Sequence, residues 1–169
     1  MGQDKARLRL GGRSLLAQVR AMARGLGMPV RVVRRDLVPR CGPLGGVYTA
    51  LRRSRAEALA FLSCDMPFVS AGLLCRVLDQ LTPTASAVFV QAGRAAGFPF
   101  VLRRAVLPSV ERQIATEDFS IQSLARRLRA KQLRVPAAQA AELFNVNTPA
   151  EWAEARRRWR AACGQVRRS

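Results

Sequence analysis

The sequence predicts an α/β fold: a three-layer sandwich with a largely parallel sheet. Segments rich in β-branched or apolar residues alternate with segments whose apolar residues recur at helical spacing. Residues 58–62 form a short, continuous apolar run, which is typical of a strand buried on both faces of a parallel sheet. The 169 residues suffice for one domain with a sizeable core, so we expect a single domain over 1–169.

The first elements are a strand, a turn and a helix. Residues 7–10 alternate as a short strand does, Gly11-Gly12 is a turn signal, and a helix begins near Ser14. Apolar residues recur at helical spacing along this helix as far as a glycine-rich stop. The β-branched residues that follow predict a strand over 30–33.

The remaining elements continue this alternation. Asp36 is followed by a glycine-rich loop that leads into a second helix. Pro99 predicts an edge position or an irregular start for its strand. In such sheets, ligands bind at the carboxyl ends of strands, where Asp36 and Asp65 both fall. Further helices are predicted at 70–81, 106–114, 120–128 and 151–162, and further strands at 58–62, 87–90, 98–102 and 133–135.

The composition restricts the chemistry. The chain has no histidine, which removes the usual general base and the Ser/His and Cys/His pairs. Its four cysteines form no C-x-x-C pair, so neither structural zinc nor disulfides are expected. The net charge of +18 comes from scattered arginines with few aromatic residues between them, a pattern that disfavours nucleic acid as a partner. No apolar run reaches the roughly 20 residues of a membrane span, and we expect a cytoplasmic protein with no membrane contact.

Two charged residues are candidates for phosphate chemistry. Asp65 follows the most apolar strand, and a carboxylate fixed at a strand end suits Mg²⁺. A turn or cap aspartate before Pro67 is the alternative for Asp65. Lys5 is one of only two lysines and could act as a point charge on phosphate, although an exposed lysine with no role is the commoner case.

Two further motifs are weaker when each is taken alone. Residues 42–46 place three glycines just before a helix, where backbone N–H groups could approach a ligand or simply form a tight connection. Asn145 and Asn147 lie on the same side of an extended segment and can offer paired amides to a polar ligand. The local alternative is a turn in which Asn147 or Thr148 caps the last helix.

Taken in order, these segments resemble the molybdenum cofactor guanylyltransferases. The resemblance implies a Rossmann-like nucleotidyltransferase fold and transfer of GMP from GTP to a phosphate of molybdopterin, with release of pyrophosphate. It also implies Mg²⁺ as the cofactor, and molybdoenzymes or other cofactor-biosynthesis proteins as partners. It spans residue 1 to about 158 and is carried by the motifs Met1-Gly2-Gln3-Asp4-Lys5, Leu10-Gly11-Gly12-Arg13, Asp36, Gly42-Pro43-Leu44-Gly45-Gly46, Cys64-Asp65-Met66-Pro67 and Asn145-Val146-Asn147-Thr148-Pro149.

The same resemblance assigns roles to individual residues. The catalytic candidates are Lys5, on the nucleotide phosphates, and Asp65, on both Mg²⁺ and the nucleotide. The other site residues share contact with a substrate: Asp36, Gly42 and Gly45 on the nucleotide side, and Asn145 and Asn147 on the pterin side.

Two departures from the family pattern bear on activity. The family's first strand and its Leu-x-Gly-Gly-x-Ser-x-Arg loop are missing before Met1, so we expect an N-terminal truncation. The stretch 30–36 stands where the family has two strands and an excursion carrying a nucleotide-contacting asparagine. We therefore expect this chain to bind GTP less well, and to be less stable, than a version extended upstream.

Other functions stay open on the sequence alone. One is a related nucleotidyltransferase that acts on CTP or a sugar phosphate. Another is a noncatalytic module that binds molybdopterin or a partner protein. The third, an arginine-driven nucleic-acid binder, has the least support from the sequence.

Overall fold

The protein is represented by a computed structural model that describes residues 8–93 and 95–166. Within these residues the chain forms two compact units, each built from segments that are separated in the sequence. The first unit contains the described residues up to Val30, residues 63–71 and the described residues from Gln139 onward, and the second contains 31–62 and the described part of 72–138.

Strands and helices alternate along most of the described chain. Two 3₁₀ segments, Arg104–Val106 and Ala137–Leu143, complete the structure. The elements are β1 (Arg9–Leu10), β2 (Arg13–Ser14), α1 (Leu15–Arg24), α2 (Gly42–Arg53), β3 (Ala58–Phe61), α3 (Ala71–Asp79), β4 (Ala87–Ala92), β5 (Ala95–Arg103), α4 (Leu107–Ala115), α5 (Ile121–Arg127), β6 (Lys131–Arg134) and α6 (Pro149–Val166).

The second unit is organised around a four-stranded sheet in the order β3-β5-β4-β6. Strand β4 pairs with β6 in parallel, whereas β5 pairs antiparallel with both β3 and β4. Strands β3, β4 and β6 therefore run in one direction, and only β5 is reversed within this sheet. The prediction of a mostly parallel sheet is confirmed in the sense that three of the four strands of this sheet run in the same direction.

Both faces of this sheet are buried. Phe89 and Phe100 are directly paired, stack with ring centroids 4.5 Å apart and are fully buried with apolar residues of α2, α4 and α5. Their strand neighbours Val88 and Val101 point to the opposite face and are also fully buried. A sheet covered on both faces is the arrangement that a three-layer α/β sandwich requires.

The first unit contains a small hairpin and the ends of the described chain. Strands β1 and β2 pair antiparallel across Gly11 and Gly12, whose φ angles of 59° and 83° are the left-handed values that favour glycine. Ser14 caps α1 by accepting a hydrogen bond from the N–H of Ala17 at 3.1 Å. Within the described residues, no helix has the length and apolar character needed to cross a membrane.

Two local predictions differ from the structure. Residues 30–33 are not a strand, and Val33 is 40% exposed. The preference of β-branched residues for strands depends on a neighbouring strand that pairs with them, and none of the strands in the described residues pairs with this segment.

Pro99 lies in an inner strand, so the predicted edge position was wrong. The predicted irregularity is present, but inside β5, which starts at Ala95, and not at its start. The register of β4 and β5 shifts between Phe89 and Val90, which pair with Phe100 and Gly97. Pro99 therefore falls in the bulge, where its missing N–H costs no ladder hydrogen bond.

Candidate functional site

Asp65 lies in the segment that follows β3 and is half-buried. Its Oδ1 accepts a hydrogen bond from the Ser63 hydroxyl at 2.5 Å. No other side chain among the described residues bonds to the carboxylate or forms an ion pair with it, in a chain of +18 net charge. One oxygen therefore stays available for a cation or a ligand.

The segment 145–147 is tied to Asp65 through the backbone. The N–H of Val146 donates to the carbonyl oxygen of Asp65 at 2.8 Å. Val146 is fully buried in a cluster with Leu10 and Leu15, whereas Asn145 and Asn147 are exposed. This alternation confirms that the two asparagines lie on one side of an extended segment, and the hydrogen bond places the backbone of this segment next to that of Asp65 in the first unit.

A capping box fixes the segment where it enters α6. The carboxylate of Glu151 accepts hydrogen bonds from the backbone N–H groups of Asn147 and Thr148, both at 2.8 Å. The Thr148 hydroxyl in turn accepts from the N–H of Glu151 at 3.2 Å. Thr148 is thus the cap that the sequence left as an alternative, and capping still leaves the side chain of Asn147 exposed.

Aromatic side chains brace the same region. The rings of Phe68 and Phe144 lie 6.2 Å apart, and the guanidinium carbon of Arg158 lies 4.3 Å from the centre of the Phe144 ring. Glu154 accepts a hydrogen bond from Nε of Arg158 at 2.7 Å, and the hydrogen bonds from Arg158 and Arg157 lower the pKa of its carboxyl. These contacts hold α6 against the segments that carry Asp65 and the asparagines.

The hairpin turn is fitted to α6. A Cβ atom at Gly11 would overlap the indole ring of Trp159, so the turn backbone lies directly on that ring. No atom lies within 4 Å of a Cβ built at Gly12. Gly11 is therefore required by this close approach as well as by its positive φ, whereas Gly12 is required by φ alone.

Asp36 belongs to the second unit and lies against the first turn of α2. A Cβ atom on Gly45 would lie 2.9 Å from Oδ2 of Asp36 and 3.1 Å from the carbonyl oxygen of Val38. Gly45 therefore allows the carboxylate to approach the amino end of α2, where the helix dipole favours negative charge. Within the part of the chain that the structure describes, the Asp36 carboxylate has neither a hydrogen bond nor an ion pair.

The glycines at 42–46 do not form the loop that the sequence predicts. They make up the first turn of α2, which begins at Gly42 with a φ of 52°. The N–H of Gly45 donates to the carbonyl oxygen of Cys41 at 3.3 Å and is used by the helix itself. The exposed Gly42 remains at the amino end of α2, where helix N–H groups lack intrahelical partners.

Thr49 is a residue that sequence reasoning missed. It is only 1% exposed, its hydroxyl donates to the carbonyl oxygen of Gly45 at 2.8 Å, and it accepts from the N–H of Leu37 at 2.9 Å. The available signal was a hydroxyl side chain one helical turn after Gly45 on the apolar face of a helix. The contact with Leu37, however, depends on tertiary structure that a local pattern does not contain.

The predicted site residues fall into three groups. Lys5 lies outside the described residues. Asp65 is brought together with the segment of Asn145 and Asn147 in the first unit. The members of the predicted set that lie in the second unit are Asp36, Gly42 and Gly45.

The donor set bears on which metal could bind. The described residues contain no cluster of three or more His, Cys, Asp or Glu side chains. A metal at Asp65 would thus have at most two such side chains of the described residues as ligands, together with oxygens of the substrate and water. This arrangement fits Mg²⁺, which is commonly held by one or two carboxylates plus phosphate oxygens, and does not fit a structural zinc site.

Comparison with known protein sequences gives consistent matches. The family model described as "MobA-like NTP transferase domain" matches residues 1–135. A probable molybdenum cofactor guanylyltransferase of Bacillus licheniformis is 34% identical over 116 residues, which cover 67% of this chain and 60% of that relative, less than two thirds of its length. The molybdenum cofactor guanylyltransferase of Xanthomonas euvesicatoria is 33% identical over 168 residues, covering 90% of this chain and 85% of the relative.

Solved structures establish the fold as the Rossmann-like nucleotidyltransferase sandwich that the resemblance implies. Molybdopterin-guanine dinucleotide biosynthesis protein A of Archaeoglobus fulgidus matches with a TM-score of 0.70 at 18% identity, over 97% of this chain and 92% of that one. A 2-C-methyl-D-erythritol 4-phosphate cytidylyltransferase of Thermus thermophilus has a TM-score of 0.68 at 19% identity, over 92% and 94%. A Mycobacterium tuberculosis protein solved in complex with manganese has a TM-score of 0.60 at 18% identity, over 91% and 92%.

Proposed function

The chain belongs to the molybdenum cofactor guanylyltransferases, a family with the MobA-like NTP transferase domain, and on this basis we propose that it transfers GMP from GTP to molybdopterin. An oxygen of the molybdopterin phosphate forms a bond to the α-phosphorus of GTP. The bond from that phosphorus to the bridging oxygen of the β-phosphate breaks. Pyrophosphate leaves, and molybdopterin guanine dinucleotide is the product.

The observation that carries this proposal is the hydrogen bond between Val146 and Asp65. It joins the backbone of Asp65, the candidate metal ligand, to the backbone of the segment that carries two exposed amides. A transferase needs its charge-neutralising group and its acceptor-binding groups at one place, because the two substrates must meet in line. The contact between these two motifs, which are distant in sequence, within one compact unit supports the proposal.

Asp65 is the residue proposed to hold a divalent metal. Its free carboxylate oxygen and its half-buried position suit a hard cation that completes its coordination with phosphate oxygens. When bound, Mg²⁺ supplies charge neutralisation at the reacting phosphates. The Ser63 hydroxyl contributes by holding the other carboxylate oxygen and thereby fixing the rotation of the Asp65 side chain. Lys5 is proposed to place a second positive charge on the same phosphates.

Asp36 is proposed to bind the nucleoside. A carboxylate repels phosphate, so its chemistry suits the N–H donors of a nucleobase better than the triphosphate. Gly42 and Gly45 begin the helix against which Asp36 lies, and the positive end of this helix stabilises its charge. Gly45 contributes to the nucleoside site by allowing the Asp36 carboxylate to approach α2 closely. Gly42 contributes by leaving the amino end of α2 exposed.

Asn145 and Asn147 are proposed to bind the acceptor. Their amides both donate and accept hydrogen bonds, which suits the polar edge of a pterin. The acceptor phosphate has a second pKa of about 6 and is already ionised at neutral pH, so its attack requires no general base. Positioning and charge neutralisation then suffice, in agreement with a chain that contains no histidine.

Equilibrium binding of nucleotides tests the proposal without requiring turnover. Titration calorimetry with Mg²⁺ should show tighter binding of GTP than of CTP or ATP. Removal of the metal with a chelator should weaken the binding. A chain that bound none of these nucleotides, with or without metal, would contradict the proposed function, and a preference for CTP would replace GMP transfer by CMP transfer.

A further inference from the structure

Thr49 makes two hydrogen bonds of different kinds from one buried hydroxyl. The bond to the carbonyl oxygen of Gly45, at 2.8 Å, is the local bond that a helical threonine commonly forms with the preceding turn. The bond from the N–H of Leu37, at 2.9 Å, crosses to the loop that precedes α2. Only the second bond connects the helix to that loop, so only this bond can fix the position of the loop.

This bond anchors the loop at Leu37, upstream of the buried Cys41 that directly precedes α2. The side chain of Leu37 is 45% exposed, and Val33 earlier in the same segment is 40% exposed. The backbone at Leu37 is thus held to α2 by the Thr49 hydroxyl more than by burial of its own side chain. A hydrogen bond to a buried hydroxyl is costly to break because both groups lose their partner.

Asp36 is the residue directly before this anchor. Its carboxylate lies against Gly45, where a Cβ atom would come within 2.9 Å of Oδ2, and it has no hydrogen bond of its own among the described residues. The position of the carboxylate therefore follows the backbone of the loop. Thr49 bonds both to Gly45, against which Asp36 lies, and to Leu37, the residue after Asp36, and so fixes the loop relative to the helix at this point.

We propose that Thr49 is a positioning residue that fixes the Asp36 carboxylate and thereby sets the affinity and selectivity for the nucleoside. The inference rests on the proposed nucleoside contact of Asp36. Guanine offers two adjacent N–H donors, whereas cytosine and adenine each offer one exocyclic amino group. A carboxylate held in one place can accept both donors of guanine at once, and one that moves loses this advantage.

The test compares three variants with the full chain. Thr49→Val keeps the shape and removes the hydroxyl, whereas Thr49→Ser keeps the hydroxyl. Thr116→Val is the control for removal of a threonine hydroxyl. The exposed Thr116 caps the end of α4, and its hydroxyl also donates to a helix carbonyl, that of Gln113 at 2.9 Å, while α4 carries none of the site residues. Hydrogen exchange of the Leu37 amide reports the anchor itself. We expect protection in the unaltered chain and in Thr49→Ser, and its loss in Thr49→Val.

Nucleotide titrations then measure the consequence. Thr49→Val should weaken GTP binding by roughly five- to tenfold, the effect of one hydrogen bond, and reduce the preference for GTP over ATP. Thr49→Ser and Thr116→Val should bind GTP within about twofold of the unaltered chain. In an Asp36→Asn background, Thr49→Val should cause little further loss of GTP affinity, because the Thr49 hydroxyl acts through the Asp36 carboxylate.

The outcomes separate this inference from the proposed function. Additive effects of Asp36→Asn and Thr49→Val, or a Thr49→Val variant that binds GTP normally after losing Leu37 protection, would overturn the positioning role while leaving nucleotide transfer in place. A chain that prefers CTP would overturn GMP transfer. CTP titrations of Asp36→Asn, Thr49→Val and the double variant would then decide the role of Thr49. A chain that binds no nucleotide would overturn both.

Discussion

The N–H of Val146 and the carbonyl oxygen of Asp65 are 2.8 Å apart, in a hydrogen bond that joins two distant parts of the sequence. Val146 is fully buried, and its neighbours Asn145 and Asn147 are exposed. The bond therefore fixes the exposed amides relative to the backbone of Asp65. Rigid support of this kind is what the proposed binding site for two substrates requires.

Asp65→Asn should weaken binding of divalent metal in the presence of GTP by at least about tenfold, because an amide is a poorer ligand for a hard cation than a carboxylate. Electron paramagnetic resonance of Mn²⁺ measures the free and bound metal directly. Asp79→Asn is the matched control, since Asp79 is an exposed aspartate at the end of α3. Equal metal binding by the two variants would remove Asp65 from the metal site.

Asn145→Ala and Asn147→Ala should each raise the KM for molybdopterin by about five- to tenfold, the effect of one hydrogen bond, and leave the Kd for GTP unchanged. Steady-state kinetics with each substrate varied in turn separates the two effects. Gln122→Ala, which removes an exposed amide from α5, should change neither constant. A change in GTP affinity without a change in acceptor KM would place the asparagines on the nucleotide side.

Gly11→Ala should destabilise the chain by more than Gly12→Ala. Both glycines have a positive φ, a strain of about 1 kcal/mol for alanine, but only a Cβ at Gly11 overlaps the ring of Trp159. Urea unfolding of the two variants measures the difference. In a Trp159→Ala background the extra cost at Gly11 should disappear, and a difference that persisted there would show that Trp159 is not its cause.

Glu154→Gln should lower stability more at neutral pH than in acid. Hydrogen bonds from Arg158 and Arg157 lower the pKa of Glu154 in the folded chain below its ordinary value of 4.5. The stabilisation is therefore present above about pH 4.5 and is lost as the pH falls through the lowered pKa. Urea unfolding at pH 7 and pH 3 should show a larger difference between the two chains at pH 7 than at pH 3. A difference of equal size at both pH values would contradict the role of the ionised carboxylate.

The sequence predicted those parts of the fold that depend on local patterns. The apolar run at 58–62 contains strand β3, but the expected full burial in a parallel pairing was wrong, because β3 is half-buried and pairs antiparallel with β5. The alternation around Val146 correctly predicted that Asn145 and Asn147 lie on one side of an extended segment. Thr148 could be foreseen as a cap because the pattern of a capping box is short and local. Such patterns are decided within a few residues, so tertiary structure changes them little.

Other features depended on contacts that sequence patterns do not contain. The β-branched segment 30–33 is typical of a strand, but no strand within the described part of the chain pairs with it. The reversed direction of β5 and the bulge at Pro99 depend on which strands become neighbours. The link from Thr49 to Leu37 joins a helix to a loop, and neither residue carries a signal of the other.

The central claim is that this chain joins GTP and molybdopterin, and the most direct measurement is product formation in a single turnover. The chain is mixed with GTP, Mg²⁺ and molybdopterin, and both products are quantified by mass spectrometry. The account predicts molybdopterin guanine dinucleotide and pyrophosphate in equal amounts, with neither formed by Asp65→Asn. Binding of GTP and molybdopterin without either product, or pyrophosphate released without dinucleotide, would contradict it.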